Sequence, residues 1–114
     1  MSGGGGPGTN SQQPKEDLDN SYLFWLAGNV TPKQRFSLGL KLHFSPAEIA
    51  VFEEDYRGDT KRQIFEMLVR WHNRQEGDEL SKVRLLGQAL ADDEVGRADL
   101  KKILYKDYHV EMGR

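Results

Sequence analysis

From Leu18 onward, apolar residues return every three or four positions, and no stretch sustains the strict alternation of a strand. Start and stop signals cut this helical pattern into six segments. Asn20 or Ser21 is expected to cap a first helix carrying Tyr22, Phe24, Trp25 and Leu26, which ends near Gly28-Asn29. Thr31 followed by Pro32 is a cap with proline at the first helical position, and it opens a second helix with Phe36, Leu38, Leu40 and Leu42. Ser45-Pro46-Ala47-Glu48 repeats that device and adds a capping box; the third helix presents Ile49, Phe52 and Tyr56, and Gly58 stops it.

Asp59 or Thr60 caps the fourth segment, which has the clearest pattern. At about 100° per residue, Ile64, Met67, Leu68 and Trp71 fall on one face, and Arg62, Glu66, Arg70, Asn73 and Arg74 on the other. Gly77 ends it. Asp78 caps a fifth helix with Leu80, Val83, Leu86 and Leu90 expected inward. Ala91 to Gly96 reads as a loop, and a sixth helix from about Arg97 has Leu100, Ile103, Leu104 and Tyr108 expected inward. Six short helices with brief, antiparallel connections predict an all-α bundle over residues 18–110. Residues 1–17 are rich in Gly, Ser, Gln, Asn and Pro and cannot bury enough apolar surface to offset their ordering entropy; disorder is expected there, and 111–114 reads as a tail.

Composition narrows the class. With 114 residues the chain suits one domain, and 37% hydrophobic against 30% charged residues describes a small globule with a charged surface. Lys and Arg number 16 against 18 acidic residues, so the net charge is -2. Nucleic-acid binding ordinarily needs a basic excess, which counts against that class. The absence of cysteine excludes a disulfide scaffold, a thiolate zinc site and a cysteine nucleophile. No apolar run approaches the roughly 18 residues of a membrane span, and the glycine-rich start lacks the order of a signal peptide. A cytoplasmic protein, or the cytosolic part of a larger one, is the expectation.

Candidate chemistry is sparse. His43, His72 and His109 are 29 and 37 residues apart, so only a tertiary coincidence would gather them on a metal. No nucleophile elbow supports a catalytic triad, and Gly3 to Gly6 does not lie between a strand and a helix as a phosphate loop would. His43 is expected to pack at a helix end and Trp71 in the core; Trp25 lies in a segment apolar nearly all round and could face either way. Charge clusters stand out more. Glu53-Glu54-Asp55 closes the third helix, where acidic residues oppose the macrodipole, and Arg57 follows. Arg62, Arg70 and Arg74 line the polar face of the fourth helix, with Glu66 placed for i,i+4 pairing. Glu76 lies in the following turn, Asp92-Asp93-Glu94 in the loop, and Arg97 at the start of the sixth helix. A solvated face explains any one of them; the alternation of sign suggests docking.

Several of these stretches together resemble a death domain. They are Leu42-His43-Phe44-Ser45-Pro46-Ala47-Glu48-Ile49, Trp71 with Arg74 and Gly77 downstream, Ala89-Leu90, and Gly96-Arg97 with Asp99-Leu100. The resemblance covers roughly residues 21–105. It implies a Greek-key bundle of six antiparallel helices, no catalytic residue and no cofactor. It also implies an adaptor role in apoptotic or inflammatory signalling, through contacts with other death-fold domains. Members of that family assemble through asymmetric contacts. Carried over by position, one contact would set Arg70, Arg74 and Glu76 against Asp92, Asp93, Glu94 and Arg97. Another would set Glu53, Glu54 and Asp55 against Arg57 and Lys61, and a third would join the surface of the first and fourth helices to the second and third. Small-molecule substrates, nucleic acid and membrane are not implied as partners. Two rivals remain open: a helical scaffold domain that holds a peptide in a groove without homotypic assembly, and a helix-turn-helix nucleic-acid binder with the fourth helix as reader.

Overall fold

Side-chain caps set where all but the last of the helices begin. In a computed structural model, which describes residues 17–111, the regular structure is entirely helical. It comprises α1 (Asn20–Ala27), α2 (Pro32–Lys41), α3 (Pro46–Asp55), α4 (Thr60–Arg74), α5 (Glu79–Ala91) and α6 (Ala98–Asp107). The sequence-based expectations for 1–16 and 112–114 lie outside the described residues. Asp17 is held at its backbone: its carbonyl accepts a hydrogen bond from the Tyr108 hydroxyl at 2.9 Å.

The capping boxes form as expected at α3, where Ser45 Oγ accepts from the Glu48 amide at 3.1 Å and Glu48 accepts from the Ser45 amide at 2.9 Å. At α2 the Gln34 side chain accepts from the Thr31 amide at 3.0 Å. Asp59 and Asp78 cap α4 and α5. At α1 the cap is Asp19, one residue before the expected Asn20; its carboxylate accepts from the Tyr22 amide at 2.9 Å. A carboxylate makes this bond better than an amide because it also meets the positive end of the helix.

Helix α4 is the longest, at 15 residues, and packs against α1, α2 and α3. Its expected face is the buried one: Ile64, Met67, Leu68 and Trp71 are all within the core, Trp71 at 1% exposure. Helix α5 packs on α6 and on α2. Glycines permit two close approaches. A Cβ on Gly39 would sit 2.7 Å from Ile49 Cδ1, and one on Gly87 would sit 2.3 Å from Tyr105 Cε1. Tyr105, which the periodicity did not single out, is therefore buried against α5, with its hydroxyl donating to the Arg84 carbonyl at 3.1 Å.

Two inward assignments are corrected. Leu80 and Ile103 are exposed, although both lie on the expected faces. Periodicity fixes a direction on a helix, not whether another element covers that position. His43 is also not packed in; it is exposed, with φ 74°. It stands just past α2, where the Phe44 amide donates to the Gly39 carbonyl and the His43 amide to the Leu40 carbonyl, both at 3.0 Å. This paired pattern needs a left-handed residue, a role glycine fills most easily. His109, with φ 55°, does the same just past α6.

Candidate protein-interaction surface

The charged positions singled out from the sequence divide into those consumed inside the molecule and those left over. Glu53 pairs with Arg35, whose guanidinium also donates to Gln63 Oε1 at 2.8 Å. Glu54 pairs with Arg57 one turn away. Arg62 and Glu66 form the expected i,i+4 pair at 2.7 Å, and the Arg62 guanidinium lies over the Tyr56 ring. Arg74 pairs with Glu48 across α4 and α3 and stacks over Phe44. The Ser45 amide, followed by Arg74, holds the Glu48 carboxyl below the usual carboxylate range.

The loop between α5 and α6 is similarly tied down. Lys41, at the end of α2, lies 3.5 Å from both Asp92 and Glu94, and those two carboxylates raise its ammonium above its ordinary value. The Gly96 amide donates to the Asp92 carbonyl at 2.7 Å and the Arg97 amide to the Leu90 carbonyl at 2.8 Å. Val95 is buried beneath. Arg97 grips Asp99 at 2.9 Å and also donates to the Asn29 carbonyl and, at 3.1 Å, to Gln34 Oε1. Its position is thus that of a staple between the α1–α2 turn and the start of α6.

Among the described residues, Asp55, Lys61, Arg70, Glu76 and Asp93 make no ion pair. Lys61 lies 3.9 Å from the centroid of Phe24, which stands edge-on to Phe65. Arg70 stacks over Phe52. Asp55, Arg70, Glu76 and Asp93 are exposed. Arg57 and Lys61, expected opposite the acidic end of α3, are therefore already engaged within the chain. The residues missed from the sequence are the partners Arg35, Lys41 and Glu48, whose contacts span helices. Only Glu48 carried a local signal, its capping box.

His72 is bound to Glu79, with Nε2 2.9 Å from Oε2, and Glu79 also accepts from the Leu18 amide at 3.1 Å. This carboxylate joins α4, α5 and the entry to α1. Burial pushes its pKa up, but the bonds from His72 and Leu18 and the charges of His72 and Lys82 prevail, so it rests below the usual range. A carboxylate with a depressed folded pKa stabilises above its unfolded pKa, and that contribution is lost as pH falls through the folded value. Glu79→Gln should therefore flatten the loss of stability between about pH 5 and pH 3, read from urea midpoints at each pH. An unchanged slope in the variant would mean that the three-way contact does not hold in solution.

No group of His, Cys, Asp and Glu suited to a metal ion occurs among the described residues, and none of the helices is long and apolar enough to cross a membrane. The depressions on the described surface are open grooves; one of about 360 Å³ runs between α3 and α4. No family model matches the chain, and neither a curated protein nor a solved structure matches it.

Proposed function

We propose that this chain is a non-enzymatic interaction module that docks onto other death-fold domains and builds oligomeric signalling assemblies. Six helices with no strand among the described residues are compatible with an all-α bundle; the Greek-key topology is part of the proposal. The observation that carries the reading is the division of charge. Most charges expected at the contacts are paired within the chain, largely with other residues such as Arg35, Lys41 and Glu48, while Arg70 on α4 and Asp93 on a tied-down loop remain exposed and without an ion pair among the described residues. Charges of opposite sign held on rigid elements give register and association rate rather than bulk affinity. A head-to-tail contact between two different patches of one molecule extends into open assemblies instead of closing a dimer. Docking would concentrate whatever domains accompany this one.

The test is light scattering with sizing chromatography across concentration. Assembly should weaken between about 50 and 500 mM salt, as screening shortens the Debye length. Arg70→Glu and Asp93→Lys should each abolish assembly alone. A 1:1 mixture should restore it, because each variant supplies the complement of the other. A wild-type protein that stays monomeric at every concentration and salt would reject self-assembly; scattering lost in the single variants and not restored in the mixture would reject the pairing of these patches.

A further inference from the structure

The chain has four tyrosines, and three of them are tied into the fold. Tyr22 donates its hydroxyl to Asp107 at 2.7 Å, Tyr105 to the Arg84 carbonyl at 3.1 Å and Tyr108 to the Asp17 carbonyl at 2.9 Å, and all three are buried. Tyr56 differs: it is half-buried, and its hydroxyl makes no hydrogen bond among the described residues. Its backbone, by contrast, is fixed. The amide donates to the Phe52 carbonyl at 3.2 Å, and the carbonyl accepts from the Asp59 amide at 3.0 Å and from Gln63 Nε2 at 2.9 Å. The Arg62 guanidinium lies 4.9 Å from the ring centroid. Tyr56 thus closes α3 through its main chain, and the fold makes no use of its phenol oxygen.

The flanking residues indicate what acts on that oxygen. Glu53-Glu54-Asp55 immediately precede Tyr56, and carboxylates at the end of α3 oppose the helix dipole and weaken its last turn. Arg35 holds Glu53, but the Glu54–Arg57 pair is well exposed on both sides and therefore weak, and Asp55 has no ion pair among the described residues. Beyond Tyr56 the chain turns in open space, with Gly58 at φ 81° and nothing within 4 Å of where its Cβ would stand. Opening this last turn costs few buried contacts, which is where local unfolding begins. It would present acidic residues in extended form just before a free phenol. A basic peptide groove selects that charge pattern. We infer that Tyr56 is a phosphorylation site for a tyrosine kinase with such a groove. The phenol oxygen attacks the γ-phosphorus of ATP, the bond from that phosphorus to the bridging oxygen breaks, ADP leaves, and the kinase's catalytic carboxylate takes the phenol proton. The new phosphate has the Arg62 guanidinium over its ring and Arg57 next in the chain as cations for charge-assisted bonds. The site does not depend on homotypic assembly.

The test incubates the full chain with ATP, magnesium and the catalytic domain of such a kinase, its activity first confirmed on a glutamate–tyrosine copolymer. Fragment mass spectrometry then follows phosphate at each tyrosine over time. Tyr56 should be modified at least about tenfold faster than Tyr22, Tyr105 or Tyr108, whose bonded hydroxyls emerge only when more of the fold opens. Tyr56→Phe should remove the fast phase. Asp55→Lys should slow it at least about fivefold. Neither change touches a buried bond, so circular dichroism melts should stay close to wild type and keep a folding defect distinguishable. A synthetic peptide of residues 49–61 separates recognition from access. A peptide that is modified while Tyr56 of the folded chain is not would show that the fold withholds the site, and would overturn the inference. So would failure of both, equal rates at all four tyrosines, or an Asp55→Lys rate equal to wild type. Any of these results leaves the light-scattering test of assembly to stand or fall separately.

Discussion

Trp71→Ala is expected to remove about 3–5 kcal/mol of stability, because a large side chain leaves a cavity that a packed core cannot fully collapse. Trp71 is 1% exposed and lies on the helix that packs against α1, α2 and α3, so its loss undermines several contacts at once. A small domain has only about 5–15 kcal/mol in total, and the melting temperature should fall by roughly 15–30 °C. Trp25 provides the contrast. It is 40% exposed and meets the Tyr22 ring tilted, at 5.2 Å between centroids, so Trp25→Ala should cost no more than about 1 kcal/mol. Urea unfolding followed by circular dichroism compares them directly. Equal losses for the two tryptophans would contradict the packing described for α4.

Gly87→Ala should be the most damaging small substitution. In an exposed helix, replacing glycine by alanine would add about 1 kcal/mol of stability through propensity. Here the new Cβ would lie 2.3 Å from Tyr105 Cε1 and 2.9 Å from its Cζ. The ring cannot simply swing aside, since Tyr105 is buried and its hydroxyl is bonded to the Arg84 carbonyl. The α5–α6 pair must separate instead. At a contact this close the cost should approach the upper end of the roughly 1–3 kcal/mol typical of overpacking, leaving a net loss of about 1–2 kcal/mol after the propensity gain, and the melting temperature should drop by roughly 5–15 °C. Tyr105→Leu in the same chain should recover part of that loss. A double-mutant cycle with coupling below about 0.5 kcal/mol would show that the two residues do not meet.

What could be read from the sequence was local. The cap at Thr31, the box at Ser45, the cap at Asp78 and the stops at Gly58 and Gly77 depend on neighbours within one turn, and both glycines have positive φ as such stops require. The apolar stripe of α4 was equally legible, because a helix buried on one side repeats its pattern. Burial at the edges was not: Leu80 and Ile103 continue their stripes but extend beyond any covering element. The charged surface divides along the same line. Arg62–Glu66 follows from spacing, whereas Arg35–Glu53, Arg74–Glu48 and Lys41–Asp92 join different helices and need the fold first.

The hydroxyl of Tyr108 on the Asp17 carbonyl and that of Tyr22 on Asp107 at 2.7 Å have a mechanical consequence. Polypeptide enters and leaves the bundle at neighbouring points, so any flanking sequence departs from the same pole. Tension applied through both flanks would peel the start of α1 from the end of α6 one contact at a time, rather than shear them together.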